Sequence, residues 1–379
     1  MAAHVGDLRP RGEAHHRQGT AGLPRGARIS CGEHMNARVE KLLQKLEEPL
    51  IVTTPANVRY LTGFVSSNVS LVVEPDRVRL FTDFRYATAA RAVPEVEFVE
   101  TRRDTIVHMA EFLSGRFGFE STHLTYRHYE QLRDGGLELV PRFGVVESLR
   151  AVKDEDELDK IRRAAAITDR AYEQLADERF VGRTERDLAW RMTLFLHEFG
   201  ADEEAFEPIV AAGANSACPH ADPSDQVIES GTTIVVDAGA ALDGYCSDCT
   251  RTFATGELPD ELRRAYDVCL EAQLKGVEAA RSGIEAKVAD AAARGVIEQA
   301  GFGENFGHGL GHGVGIDVHE APRVAATSTD SLVTNNVVTI EPGIYLEDTG
   351  GIRIEDLVIV TDGEAEVLSN FPKELLIVS

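Results

Sequence analysis

The sequence has 379 residues and a formal net charge of −24, and this length favours two domains, or one large and one small. The acidic surplus argues against nucleic acid and anionic membranes as partners, because both attract basic patches. No apolar run approaches the roughly 20 residues that a membrane-spanning helix needs. The five cysteines are odd in number and lack the spacing of a disulfide framework, which predicts a reducing, cytoplasmic location.

The first 34 residues differ from the rest of the chain. They are rich in Gly, Arg and His and contain no apolar core segment. They also lack the continuous apolar stretch of about 7–15 residues that a secretory signal peptide needs. We therefore predict that residues 1–34 are a disordered extension, and we hypothesise that Met35 is the functional start.

Residues 35–150 show the pattern of a small α/β domain. From Val39, apolar residues recur at i, i+3, i+4 and i+7, which predicts an amphipathic helix. Strands are predicted at 50–53 and 69–73, and short strands alternate with helices to the end of this domain. We find no cluster of metal-ligand residue types in its sequence, so we expect a structural or oligomer-forming role.

A charged linker opens the second predicted domain, residues 151–379. Asp154 and Glu157 occupy the positions of a capping box at the start of a long helix. Thr184 is placed to cap a second helix. The order that follows is strand, hairpin, two helices, loop and hairpin. This order suggests an internal duplication of a helix-plus-hairpin unit about a pseudo-twofold axis.

Two predicted hairpins in the second domain would each bring two carboxylates together. Asp237 ends an apolar run, and a turn near 242–244 would fold Asp248 back beside it. Glu341 and Glu355 repeat this arrangement around a later turn. Like charges side by side destabilise a sheet, and their burial costs several kcal/mol more without a counter-charge. The repeated pattern therefore predicts a bound cation.

A glycine-rich stretch supplies the imidazole of the same site. Glycines alternate through 307–315, and a helix there would lose about 1 kcal/mol per glycine. We therefore predict an extended segment in which His308 and His312 share a face and point into the site. Such an oxygen-rich set with one imidazole suits two Mn²⁺ ions, with Co²⁺, Fe²⁺ or Zn²⁺ as alternatives. The predicted metal ligands are Asp237, Asp248, His312, Glu341 and Glu355.

With these residues in view, the chain resembles the aminopeptidase P/prolidase group of the methionine-aminopeptidase-like M24 metallopeptidases. The matching stretches are 213–220, 236–240, 244–252, 308–315 with 318–320, 340–345 and 352–356. Residues 60–64 and 82–86 are similar to the creatinase-like N-terminal domain of that family. The resemblance spans residues 36–379. It implies an α/β (α+β) fold: a C-terminal pita-bread domain with pseudo-twofold duplication, and a smaller N-terminal creatinase-like α/β domain.

The resemblance also implies which of the two metal ions each ligand would bind. Asp237 would chelate one ion, whereas His312 and Glu341 would serve the other. Asp248 and Glu355 would bridge both ions. Two ions held in this way would generate hydroxide from water at neutral pH.

Further roles follow from the same resemblance. His220, His308 and His319 match the histidines that lie around the metals and contact the substrate. Arg353 matches the arginine that supports the site carboxylates. Glu341 would act as the general base that accepts the proton of the attacking water.

The implied activity is hydrolysis of the bond between an N-terminal residue and proline. The expected protein is an Xaa-Pro aminopeptidase that acts as a homodimer on small peptides with proline in second position. A dipeptidase (prolidase) stays open, and it would need a cation for the C-terminal carboxylate, which the sequence does not place. A creatinase-type C–N hydrolase and a non-catalytic module on the pita-bread fold are disfavoured, because both kinds of relative lose ligands that this chain keeps.

Overall fold

The computed structural model describes residues 36–379, so the predicted extension and the start at Met35 lie outside the described residues. The chain divides into two compact units after Val145. The first unit is described from residue 36 to Val145, and the second runs from Val146 to Ser379.

The first unit is a six-stranded sheet with short helices. Its helices are α1 (Ala37–Leu43), α2 (Pro55–Thr62), α3 (Ala87–Arg91), α4 (Thr105–Met109) and α5 (Tyr126–Asp134). Its strands are β1 (Leu50–Val52), β2 (Val69–Val73), β3 (Val78–Asp83), β4 (Glu97–Thr101), β5 (Gly115–Glu120) and β6 (Leu137–Arg142). The sheet order is β4-β3-β2-β1-β5-β6, in which β2 is antiparallel to both β1 and β3 and the other neighbouring pairs are parallel. The predicted α/β pattern of this part is confirmed.

The second unit begins with the helices that the sequence predicted. Its helices are α6 (Glu147–Arg150), α7 (Glu155–Ala176), α8 (Glu185–Glu198), α9 (Asp260–Ala279) and α10 (Ala286–Gln299), with 3₁₀ turns at Gly213–Ala217 and Gly303–Asn305. The capping box of α7 is confirmed, because Asp154 and Glu157 each accept the backbone N–H of the other at 2.9 Å. The Thr184 hydroxyl accepts the N–H of Asp187 at 3.1 Å. Between residues 36 and 379, no helix has the length and apolar character needed to cross a bilayer.

Thirteen strands of the described second unit form four sheets. The strands are β7 (Glu203–Glu204), β8 (Ile209–Ala212), β9 (Thr233–Ala238), β10 (Ala240–Leu242), β11 (Tyr245–Cys246), β12 (Cys249–Ala254), β13 (Gly311–Gly313), β14 (Glu320–Val324), β15 (Val337–Ile340), β16 (Gly343–Leu346), β17 (Gly350–Arg353), β18 (Asp356–Ile359) and β19 (Glu366–Val367). The sheet orders are β12-β9-β8, β11-β10-β7, β14-β13-β15-β18-β19 and β16-β17.

Both predicted hairpins are present, and each is interrupted along its length. β9 pairs with β12 and β10 with β11, around a turn in which Asp243 and Gly244 have φ of 51° and 76°. Likewise β15 pairs with β18, and β16 with β17. Asp248 lies in the break between β11 and β12, so the residue that faces Asp237 across the ladder is Thr250. Glu341 and Glu355 lie in the corresponding breaks of the second hairpin.

Each hairpin has its own pair of helices. Buried residues of α7 and α8 pack against β8, β9 and β12 in one apolar core. Buried residues of α9 and α10 pack against β15 to β18 in another. The strands are apolar on the faces that meet the helices, so burial of these faces stabilises each half. This repetition of a helix pair with an interrupted hairpin is the duplication that the order of elements predicted.

Candidate metal centre

A cavity of about 600 Å³ lies in the second unit at the breaks of the two hairpins. It brings together all the residues that the sequence predicted for the site. The lining residues predicted as ligands are Asp237, Asp248, His312, Glu341 and Glu355. The other predicted site residues that line it are His220, His308, His319 and Arg353.

Three of these side chains lie close enough together to hold one cation. Asp248, His312 and Glu355 each offer one ligand atom that lies within 4.8 Å of the others. His312 Nε2 is 3.6 Å from Asp248 Oδ2 and 3.3 Å from Glu341 Oε1. These distances fit a site in which one bound cation would offset the repulsion between the carboxylates.

Two buried carboxylate oxygens, Asp237 Oδ1 and Asp248 Oδ1, have no hydrogen-bond partner among the described residues. Leaving such an acceptor unsatisfied costs on the order of 1–3 kcal/mol, and more when it is charged. His312 Nδ1 lies 3.0 Å from the carbonyl of Gly313 and can donate to it, which turns Nε2 toward the carboxylates, where the neutral ring could bind a cation. These features fit a centre for divalent cations.

Three carboxyl groups of the site have raised pKa values because they lie away from water and close to other negative charges. Burial raises the pKa of Asp248 and of Glu355 well above the usual range, and neighbouring carboxylates add to the rise. Burial also raises the pKa of Asp237, although the charge of Arg353 opposes it. Such raised values show that the metal-free fold holds its carboxylates in an unfavourable place for negative charge.

Glu341 behaves differently because an imidazole lies beside it. Burial works to raise the pKa of Glu341, but the hydrogen bond and charge of His312 outweigh it and lower the pKa to about 2. In turn, burial works to lower the pKa of His312, and Glu341 outweighs it, so that pKa is raised. Glu341 is thus the carboxylate of the site that most readily stays ionised.

Arg353, in the second hairpin, makes hydrogen bonds to residues of the first hairpin at the cavity wall. Its guanidinium donates to Asp237 Oδ2 at 2.8 Å and to Thr250 Oγ1 at 3.0 Å. A further N–H donates to the carbonyl of Pro219 at 2.9 Å, next to His220. The Thr250 hydroxyl donates to Glu355 Oε2 at 2.7 Å. One buried cation therefore orients carboxylates from both halves.

His308 has both ring nitrogens engaged. Nδ1 lies 2.8 Å from the carbonyl of Gly309, which only accepts, so Nδ1 carries the proton. The Tyr345 hydroxyl donates to Nε2 at 2.9 Å and accepts from the Arg353 guanidinium at 3.2 Å. Burial lowers the pKa of His308 and so favours this neutral form. The ring supports Tyr345 and, through it, Arg353.

The glycines of the His308–His312 stretch allow a close backbone approach. A Cβ on Gly311 would lie 2.0 Å from the carbonyl oxygen of Thr339. Only Gly311–Gly313 of this stretch forms a strand, β13, so the predicted extended conformation holds around His312, whereas His308 lies in a bend outside the strand. Both histidines nevertheless line the cavity.

Sequence reasoning missed the hydroxyl groups of the site. Thr339 Oγ1 accepts the N–H of His312 and donates to Glu341 Oε1, both at 3.1 Å. Thr250 and Tyr345 make the contacts described above. Thr250 and Tyr345 fall within the stretches that carried the family resemblance, and this was the signal available for them.

Comparison with known proteins decides the family. Residues 159–362 match the family model of metallopeptidase family M24, and residues 38–152 match the creatinase/prolidase N-terminal domain. This chain belongs to metallopeptidase family M24. The resemblance seen in the sequence is therefore confirmed.

Named M24 relatives match nearly the whole chain. The Xaa-Pro dipeptidase of Pyrococcus furiosus is 35% identical over 352 residues, which cover 90% of this chain and 100% of that protein. The structure of an Xaa-Pro dipeptidase from Bacillus anthracis is 36% identical with a TM-score of 0.86, covering 90% and 99% of the two chains. An X-Pro aminopeptidase from Thermotoga maritima is 32% identical with a TM-score of 0.79, covering 87% and 97%. The expected fold class, with a creatinase-like N-terminal domain and an M24 pita-bread domain, is confirmed.

The metal-free M24 protein should lose thermal stability as pH rises above about 5. Because the pKa of Asp248 and of Glu355 is raised on folding, their contribution to stability is complete below the unfolded carboxyl pKa of about 4 and is lost as pH rises toward the folded values. Calorimetry in EDTA measures Tm across this range. Asp248→Asn should flatten the slope, and a wild-type Tm independent of pH would contradict the prediction.

Proposed function

We propose that this M24 peptidase is an Xaa-Pro dipeptidase (prolidase), which hydrolyses dipeptides with proline in second position. The sequence favoured an Xaa-Pro aminopeptidase and kept the dipeptidase as the alternative. Two of the three relatives compared above bear the name dipeptidase. The observation that carries the choice is Arg323, a cation in the cavity wall that the sequence had not placed.

Arg323 is suited to the carboxylate of a dipeptide. It is exposed, and among residues 36–379 its guanidinium has no recorded ion pair with an acidic side chain. A guanidinium matches the geometry of a carboxylate through two parallel hydrogen bonds. In an Xaa-Pro dipeptide the carboxylate belongs to the proline, whereas a longer peptide has a neutral amide there. A cation at this place therefore favours dipeptides.

The proposed cofactor is a pair of divalent metal ions. Asp237, Asp248, His312, Glu341 and Glu355 would hold them. When bound, the ions would lower the pKa of the nucleophilic water and polarise the scissile carbonyl. Mn²⁺ is the proposed native metal, because oxygen ligands dominate the set.

The remaining residues supply proton transfer and binding. Glu341, which stays ionised, would accept a proton from the attacking water and return it to the leaving nitrogen. His220 and His319, which line the cavity, would donate hydrogen bonds to carbonyl oxygens of the substrate. Phe206 and Ile209 give the cavity an apolar wall for the proline ring. Since proline has no N–H, this wall needs no acceptor.

The test is a substrate comparison with the Mn²⁺-loaded protein. Xaa-Pro dipeptides and Xaa-Pro-Yaa tripeptides are incubated in parallel, and released proline or Xaa is quantified beside the metal content. Cleavage of the dipeptides alone is the expected result. Cleavage of both would restore the aminopeptidase interpretation. Two metal ions per chain without cleavage of either would reject the substrate, and no bound metal would reject the metal centre.

We also propose a homodimer in a reducing, cytoplasmic compartment. The dimer rests on the family resemblance. The compartment is supported by the buried free thiols of Cys246, Cys249 and Cys269. Light scattering tests the dimer, which should have twice the 41.3 kDa mass of the chain.

A further inference from the structure

A buried ion cluster lies at one wall of the cavity, where Glu320 is a lining residue, and it joins distant parts of the second unit. The Arg150 guanidinium donates to Asp317 Oδ2 at 2.7 Å and to Glu320 Oε1. Lys153 Nζ lies 3.4 Å from Glu320 Oε2. The side chains of Arg150, Lys153 and Glu320 are 4%, 1% and 5% exposed, so these charges are almost fully removed from water.

Stability alone is a weak reason for such a cluster. Desolvation of buried ions offsets much of their attraction, and well-packed apolar residues are often as stabilising. Burial lowers the pKa of Lys153 despite the attraction of Glu320. Burial works to raise the pKa of Glu320, but Lys153 and Arg150 outweigh it and the pKa is lowered. Glu320 is thus held as an anion by two cations.

The segment that carries Lys153 is hydrogen-bonded to the residues just before β15. The backbone N–H of Lys153 donates to the carbonyl of Asn335 at 3.0 Å. The side-chain amide of Asn336 donates to the carbonyl of Ala151 at 2.7 Å. Both asparagines directly precede β15, which leads to Glu341. Through Arg150 and Lys153, the Glu320 carboxylate is therefore held in a fixed place relative to this strand.

Glu320 is the first residue of β14 and directly follows a segment without regular structure, residues 314–319. Its Oε1 accepts the N–H of Asp317 at 3.0 Å. Its carboxylate also lies against Gly315, where an added Cβ would be 2.6 Å from Oε2. The residue before it is His319, whose ring centroid is 4.2 Å from that of His312. Arg323 follows three residues later, so one carboxylate anchors the piece of chain that carries both side chains.

We propose that Arg150 and Lys153 are positioning residues, which fix His319 and Arg323 in the cavity wall by holding the Glu320 carboxylate. The role in turnover rests on the proposed dipeptidase function. The role in placing His319 does not, because it depends only on contacts within the second unit.

The kinetic test uses Arg150→Met, which keeps much of the side-chain length and removes the charge. We expect kcat/KM for an Xaa-Pro dipeptide to fall by up to about 100-fold, because small displacements of site groups cost this much. The fall should be smaller for the dipeptide amide, which has no carboxylate for Arg323. Metal content should not change. Arg150→Lys keeps the charge and should recover much of the wild-type kcat/KM. It is the variant to measure if Arg150→Met does not fold.

The matched control removes a comparable buried ion pair elsewhere. In the first unit Arg79 Nε lies 2.7 Å from Glu74 Oε2, and the side chains are 7% and 2% exposed. Arg79→Met should lower Tm as Arg150→Met does, but leave kcat/KM unchanged. Unchanged kcat/KM in Arg150→Met, with an active wild type, would overturn the proposal.

A second readout does not depend on activity. NMR spectra of histidine-labelled, metal-free protein report the ring environment of His319, with the signal assigned through His319→Gln. We expect this signal to move in Arg150→Met and to stay in place in Arg79→Met. An unmoved signal would overturn the positioning role whatever the kinetics. If the wild type cleaves no Xaa-Pro dipeptide, the proposed function fails, and this spectrum decides the positioning role by itself.

Discussion

Glu355→Gln should abolish peptidase activity, with a loss of at least about 10³-fold, and should reduce the bound metal. Glu355 is buried and lies with Asp248 and His312 in a group whose ligand atoms are close enough to hold one ion. A neutral amide keeps the shape but removes the charge that balances the ions. Metal ions contribute several kcal/mol to stabilising the transition state, and about 4 kcal/mol corresponds to 10³-fold. Turnover of Xaa-Pro dipeptides and metal analysis of the purified protein measure the two effects.

The same substitution should raise Tm of the metal-free protein near pH 8. Glutamine resembles the protonated carboxyl that the metal-free fold favours, since burial raises the pKa of Glu355. Opposite effects on activity and stability would distinguish a metal ligand from a merely structural carboxylate. The control is Glu347→Gln, an exposed carboxylate in the turn of the same hairpin, which should change neither. Normal metal content and activity in Glu355→Gln would refute the proposed ligand set.

Arg323→Met should raise KM for Xaa-Pro dipeptides by about 10- to 100-fold, with a smaller effect on kcat. A hydrogen bond to a charged group contributes about 1.5–3 kcal/mol, which corresponds to this range. The dipeptide amide should be cleaved equally by the variant and the wild type, because it has no carboxylate to lose. Steady-state kinetics on the acid and amide of one dipeptide give the comparison.

Arg281→Met is the matched control for this experiment. Arg281 is an exposed arginine that is not among the residues lining the cavity, so its replacement should leave both substrates unaffected. Arg323→Lys keeps the positive charge but cannot form two parallel hydrogen bonds to a carboxylate. Its KM for the dipeptide should lie between those of the wild type and Arg323→Met. Equal losses on the acid and the amide would show that Arg323 does not select the carboxylate.

Local sequence patterns determined much of the fold. The capping box of Asp154 and Glu157, the cap at Thr184 and the turn at Asp243-Gly244 depend on residues within a few positions of one another. Periodicity and turn chemistry encode such geometry directly. The carboxylate pairs were predictable for the same reason, because each pair is joined by one hairpin.

Only the tertiary structure decided how the hairpins are interrupted. A regular ladder would place Asp248 on a strand, but the chain leaves the ladder at this residue, and Thr250 faces Asp237 instead. Alternation of side chains predicts an unbroken strand, and a change from one sheet to another has no local pattern of its own. The breaks place the acidic residues at the cavity rather than along a sheet face.

Contacts across long separations in sequence were also beyond local patterns. Arg353 reaches Asp237 over 116 residues, and Arg150 reaches Glu320 over 170. Nor did any spacing indicate that Arg323 faces the cavity. Length, periodicity and the spacing of acidic residues predicted two α/β units and a cluster of carboxylates. Which hydroxyls and cations orient that cluster, and which arginine faces the cavity, depends on packing between segments that are neighbours only in the folded protein.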